Sequence, residues 1–166
     1  MTKIGTLTLR FAEDTDADAI AALINAAFKV ELFFKLEDRT NPVEVLHYLE
    51  SGRFLLAEDE AGLAACLYVE MGASRCYLGL LSVDPKRQKT GLGGRMMVAA
   101  EEAAREAGCS HVDIRVVNLR TELFPIYQRL GYVEEGTEPW PAEKPTRVPC
   151  HFIRMSKALD GTQKPA

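Results

Sequence analysis

The stretch Gln88-Lys89-Thr90-Gly91-Leu92-Gly93-Gly94 limits how this chain can fold more than any other. Before it lies an apolar run, residues 76–83, of strand character. After it, Leu92, Met96, Ala100, Ala103 and Ala107 recur on one face of a helix predicted over residues 91–107. Strand, glycine turn and helix are therefore set in that order. Glycines in such a turn let backbone approach a neighbour that a Cβ would hold off. The first turn of a helix leaves N–H groups unpaired and carries partial positive charge. Lys86, Arg87, Lys89 and Arg95 add cations to the same corner. Together these features suit a phosphate. Glycines before a helix also occur in plain flexible turns with a solvated basic rim. The loop lacks the G-K-[ST] ending of a Walker A motif and the full G-x-G-x-x-G spacing.

The rest of the chain alternates between the two periodicities. Leu7, Leu9 and Phe11 predict a first strand. Thr15 and Asp18 resemble a capping box ahead of a helix carrying Ile20, Leu23, Ile24, Ala27 and Phe28. Asn41-Pro42, with Glu44 at the third position, starts a second helix whose apolar side would hold Leu46 and Leu49. Residues 53–58 and 63–71 read as strands joined by a turn. Gly108 ends the glycine-loop helix, and residues 111–117 form a buried β-branched strand. A short helix spans residues 122–130, and Pro125 falls early in it, where proline is tolerated. Residues 132–137 and 151–156 pair last, across a loop holding Pro139, Trp140, Pro141, Pro145 and Pro149. The expected architecture is a single α/β domain over residues 1–159, with a mixed, mainly antiparallel sheet and helices on both faces. A polar, mobile tail is expected over residues 160–166.

Composition removes several functions. The formal net charge of -4 speaks against a broad nucleic-acid footprint. No apolar run approaches the ~20 residues of a membrane helix, and Met1–Arg10 lacks the core of a signal peptide. A cytoplasmic protein is expected. Cys66, Cys76, Cys109 and Cys150 are scattered and read as reduced thiols; His47, His111 and His151 show no ligand spacing, so no metal is expected.

Leu80-Leu81-Ser82-Val83-Asp84-Pro85 followed by Gln88-x-x-Gly91-x-Gly93 resembles the central motif of the GNAT N-acetyltransferases. Asn118 and then Ile126-Tyr127-Gln128-Arg129-Leu130-Gly131-Tyr132 resemble their second signature. The resemblance implies an enzyme that uses acetyl-CoA as cosubstrate and a small-molecule or peptide amine as acceptor. It implies that Gln88, Lys89, Thr90, Gly91, Leu92, Gly93, Gly94 and Arg95 hold the pyrophosphate of CoA. Leu81, Ser82 and Val83 would pair with its pantetheine amides, and Asn118 would lie nearby. In the family this strand splays from the next one to admit the cofactor.

The resemblance makes Tyr127 the general acid. A CoA thiol has a pKa near ~8.5, so its expulsion gains from a donor within hydrogen-bond reach. A plain packing role for Tyr127 is the alternative. A primary amine of pKa near ~10 must also lose a proton before it attacks. Glu70 and Glu31 are the candidate bases, each with a surface-charge alternative. Glu31, Arg39 and Trp140 are candidate acceptor contacts: Arg39 could meet a carboxylate on the acceptor or a neighbouring acid, and Trp140 could cap a substrate or anchor its loop. Phe28, Phe33 and Phe34 read as core. The acids Glu31, Glu37, Asp38 and Glu70 tilt the expectation towards a cationic acceptor. Homodimers are frequent in the family. The competing function is a non-catalytic acyl-CoA sensor, and a protein acetyltransferase would need a wide groove near Glu31 and Trp140.

Overall fold

The computed structural model describes residues 3–159, so the expected tail lies outside the described residues. The chain runs β1 (Lys3–Ile4), β2 (Leu7–Phe11), α1 (Ala17–Ala27), α2 (Pro42–Ser51), β3 (Arg53–Asp59), β4 (Gly62–Met71) and β5 (Arg75–Val83). It continues α3 (Leu92–Glu106), β6 (His111–Val117), α4 (Leu123–Arg129), β7 (Val133–Pro139) and β8 (His151–Ala158). One sheet contains all the strands in the order β1-β2-β3-β4-β5-β6-β8-β7. Only β5 and β6 pair in parallel. The predicted fold class is the one found, with β1 as an additional short edge strand.

Strand alternation divides the core into two layers. In β3, Phe54 and Leu56 join Ile20 and Ile24 of α1 in one cluster, with Tyr68 of β4. Leu55 and Ala57 face the other way and join Met96, Met97, Ala100 and Ala104 of α3. A strand buried on both faces needs helices on both faces, and this chain supplies α1 and α2 on one side and α3 on the other.

Three local expectations shift. The cap before α1 is formed by Glu13 and Asp16 rather than Thr15 and Asp18: the Glu13 N–H donates to Asp16 Oδ2 at 2.8 Å. Arg10 grips both Asp16 oxygens at 2.9 and 2.8 Å, which fixes the turn early. In α2 the Asn41 cap forms as expected, accepting from the Glu44 N–H at 2.9 Å. The turn it sets points Val45 inward at 0% exposure and leaves Leu46 at 40%. In α3 the buried stripe runs in steps of four through Met96, Ala100 and Ala104, so Ala103 moves to the margin and Ala107 lies past the helix end.

That stripe also carries an acid. Glu101 is 3% exposed, accepting from the Tyr132 hydroxyl at 2.7 Å and from Lys157 Nζ at 2.8 Å. A buried carboxylate deprived of its cation is costly. Lys157→Met is expected to lower the unfolding free energy by about 2–4 kcal/mol in urea titration; a change under about 0.5 kcal/mol would mean the pair is in effect solvated.

Candidate active site

The parallel ladder between β5 and β6 is short. It joins Arg75, Tyr77 and the Cys76 between them to His111, Asp113 and Val112, and then stops. β6 continues along β8 over its whole length, from His111 to Val117. β5 instead follows β4, with a register shift opposite Cys66 to Tyr68. At the shift Leu80 has φ +55°, a conformation that costs a non-glycine residue about 1–3 kcal/mol. The buried Ser82 hydroxyl donates to the Leu80 carbonyl at 3.0 Å and helps hold it. At Gly79 a Cβ would come within 2.7 Å of the Tyr77 hydroxyl, so a larger residue would have to displace that ring.

Where the two strands part, a cavity of about 560 Å³ opens. At one end it is lined by Gln88, Lys89 and the glycine turn into α3. Lys89 (φ +66°) and Gly91 (φ +81°) are both left-handed, and α3 begins at Leu92 with its first N–H groups unpaired by the helix. Alternating left-handed turns that aim N–H groups inward make an anion cradle. The donor set thus fits a diphosphate. Arg87 reaches the same end, but Asp59 binds it at 2.8 and 2.9 Å and braces the turn to the β3–β4 hairpin.

Tyr127 lies on the α4 wall, edge-on to Tyr132 with ring centroids 6.0 Å apart. Its hydroxyl makes no hydrogen bond to any other described residue. Its accessible surface is cavity surface: protein surrounds the ring, and this desolvation pushes the phenol up to about 12, against a smaller opposing effect of Arg120. The group is therefore a protonated, uncommitted donor at neutral pH.

The far end has aromatic walls, Phe28, Tyr77, Trp140 and Phe152. Trp140 stacks on Phe152 at 5.0 Å, and its Nε1 donates to the Lys144 carbonyl at 2.9 Å. It both anchors its loop and lines the cavity. Phe34 is core, Phe28 packs against the α1 core cluster while also lining the cavity, and Phe33 is exposed, contrary to the core expectation for it. Glu31 is 4% exposed, with Arg120 Nη1 at 2.9 Å from one oxygen and Lys35 Nζ at 3.0 Å from the other. The Lys35 contact is an ion pair without hydrogen-bond alignment. Both oxygens of this carboxylate are thus occupied, and the pairing anchors the turn.

Several expected residues stand outside the cavity lining. Glu70 is exposed and accepts from the Tyr68 hydroxyl at 2.6 Å. The Asn118 side chain accepts from the His151 N–H at 2.8 Å, closing the end of β6 onto β8. Ser82 is committed to Leu80, the Thr90 hydroxyl donates to the Arg87 carbonyl at 2.9 Å, and Arg95 is exposed on α3. Leu81, Val83, Gln88, Lys89, Gly91, Leu92, Gly93, Gly94, Glu31, Arg39, Trp140 and Tyr127 do line it. Arg115 and Arg120 were not anticipated. Arg115 could have been noticed as a charge within a strand of β-branched residues; it is accommodated by lying 4.5 Å over the Phe152 ring. Nothing in the sequence marks Arg120. Among the described residues no group of acids, histidines and cysteines could hold a metal, and no helix is long and apolar enough to cross a membrane.

The sequence model of the acetyltransferase (GNAT) domain matches residues 50–134, and the chain belongs to that family. No curated protein matches the sequence. The fold is similar to that of the ribosomal-protein-S18-alanine N-acetyltransferase of Escherichia coli: TM-score 0.74, 15% identity, 93% of this chain and 94% of that one. It is also similar to nourseothricin acetyltransferase, with TM-score 0.73 and 19% identity over 93% of this chain and 99% of that one. An acetyltransferase of Bacillus subtilis, solved in complex with CoA, gives TM-score 0.71 and 20% identity, again over 93% of this chain and 99% of that one.

The buried pairing of Glu31 generates its own test. Glu31→Gln leaves Arg120 and Lys35 without their shared carboxylate, and is expected to lower unfolding stability by about 2–4 kcal/mol in urea. A solvated carboxylate would change it by less than about 0.5 kcal/mol.

Proposed function

We propose that this chain is an N-acetyltransferase, cytoplasmic, that moves an acetyl group from acetyl-CoA to a primary amine by direct attack in a ternary complex. The observation that carries this reading is the single cavity joining the glycine cradle, the uncommitted Tyr127 hydroxyl and an aromatic end. Acetyl-CoA supplies the acetyl group already activated as a thioester. The chain supplies position, a dry site and a proton.

In this reading the backbone N–H groups from Gln88 to Gly94 hold the pyrophosphate, with Lys89 adding charge. The unpaired edge of β5 offers its polar backbone to the pantetheine arm. Val83 supports this: Asp84 N–H bonds the Ala64 carbonyl across the β4 ladder, so by alternation the N–H of Val83 faces away from β4, while its carbonyl accepts from Gln88 Nε2 at 3.2 Å. An N–H in Leu81–Val83 can also polarise the thioester oxygen. Alignment of amine and thioester provides much of the acceleration. The Tyr127 hydroxyl donates its proton or hydrogen bond to the departing sulfur. Deprotonation of the acceptor goes through water, because both Glu31 oxygens are taken by Arg120 and Lys35 and Glu70 lies off the cavity. The burial of Glu31 at the acceptor end favours a small molecule over a protein docking across an open groove.

Tyr127→Phe is expected to lower kcat by roughly ten- to a thousandfold with little change in acetyl-CoA affinity. A normal kcat would remove the acid from the mechanism. The upward shift of Tyr127 also sets a pH profile. The phenol stays protonated well above pH 9, while the acceptor amine loses its proton as pH rises. The rate in the wild type should therefore climb to about pH 9.5 with no descending limb; a fall beginning near pH 8 would assign the acid to another group. Gly91→Asp puts a Cβ at φ +81° and a negative charge in the cradle, and should weaken acetyl-CoA more than about tenfold by calorimetry. Unchanged affinity would move the pyrophosphate elsewhere.

A further inference from the structure

The acceptor end holds positive charge that the protein leaves unanswered. Three of the five cations lining the main cavity are paired with a carboxylate. Arg87 has Asp59, Arg115 has Glu138 at 3.3 Å, and Arg120 has Glu31 and Glu122. Arg39 has none among the described residues. Its guanidinium lies 5.7 Å from the centroid of the Phe28 ring, a wall of the cavity. Lys89 is likewise unpaired, but it stands at the glycine turn, the phosphate end.

Arg39 also lines a side cleft that opens beside Trp140 and Phe152. There it meets two more cations, Lys35 and Lys144. Lys144 is taken by Glu44 at 2.9 Å. Lys35 shares Glu31 with Arg120, so one carboxylate serves two cations. Burial, with Arg39 and Lys144 adding repulsion, pushes the Lys35 ammonium below its ordinary range. Glu37 and Asp38 border the same cleft but are exposed and form no ion pair with Arg39. The acids that pointed to a cationic acceptor are thus spent on partners, like Glu31 and Glu70, or turned to solvent. Arg39 is left within reach of the field of Glu44 but without an ion pair of its own, and an anionic group bound there would supply one.

We infer that the acceptor is a small primary amine that carries its own carboxylate, an amino acid by chemical class, with Arg39 holding the carboxylate. The inference rests on the transferase reading above. A guanidinium suits the task because it presents a planar fork to two carboxylate oxygens and remains charged. Anchoring the carboxylate beside Phe28 leaves the amine free to face the Tyr127 wall, and Phe28, Tyr77, Trp140 and Phe152 offer an apolar lining for the side chain. The chemistry balances. The ammonium gives one proton to water, the amine nitrogen bonds the acetyl carbon, and the carbon–sulfur bond breaks. The second proton lost by nitrogen matches the one gained by sulfur. The products are an N-acetyl amino acid and CoA.

The test measures thiol release from acetyl-CoA with the twenty amino acids, their amides, their decarboxylated amines and a polyamine set, for wild type and Arg39→Gln. Acetyl-CoA binding is followed by calorimetry in parallel. In the wild type, amidation or decarboxylation of the preferred acid should lower kcat/KM about ten- to a hundredfold, the size of a charged hydrogen-bonded contact. In Arg39→Gln that ratio should collapse towards one, with the KM for acetyl-CoA unchanged. Faster turnover of polyamines or decarboxylated amines than of any acid would overturn the inference and leave the transferase standing. A preference for acids that survives Arg39→Gln would overturn the assignment of Arg39. Tight acetyl-CoA binding with no release from any amine would count against the transferase itself, and the inference would fall with it.

Discussion

Everything at the centre of this molecule follows from two adjacent strands that cannot stay together. β5 and β6 share three residues of parallel pairing and then take different partners. Leu80, held left-handed at the shift in the β4 ladder, bends β5 towards its antiparallel neighbour. β6, tied along its whole length to β8, does not follow. Buried backbone groups need partners, so a gap of this kind inside a sheet is an invitation to a ligand with amides of its own. The strained residue persists because pairing with β4 on both sides of the shift holds it, and Ser82 secures its carbonyl.

The gap would close on itself without rigid walls. On one side α3 presents the glycine turn, and Arg87 binds that turn to the β3–β4 hairpin through Asp59. On the other, Glu31 joins two parts of the chain. It lies in the turn after α1, Lys35 follows it, and Arg120 lies between β6 and α4. Desolvating three charged groups together is unfavourable unless each is answered. Here the cluster fixes the α4 wall against the α1 end, and with it the distance across which Tyr127 faces Phe28.

Much of this could be read from the sequence because it depends on local chemistry. The Asn41-Pro42 cap, the stop at Gly108 and the Tyr127-to-Tyr132 helix end are decided within a few residues. So was the order strand, glycine turn, helix. What could not be read depends on partners far along the chain. Arg10 reaching Asp16 and Glu58 shifted the first cap. The His151 backbone claimed the Asn118 side chain, and Tyr68 claimed Glu70. The pairing of the acids near the acceptor end was hidden for the same reason. Counting acids along the sequence cannot tell which are already matched, and Arg120 lies 89 positions from Glu31.

The sheet has two free edges, and they are unlike the split at its centre. β1 is two residues long. β7, the other edge, carries a register shift between Glu134 and Gly136 and exposes Glu134 and Glu135. Short length, a bulge and like charges all discourage a stray strand from joining an edge. The unpaired strand backbone at the centre of the sheet is thus walled in by side chains, while its outer rims are defended. Such a sheet can keep a permanent opening in its middle without becoming a template for aggregation.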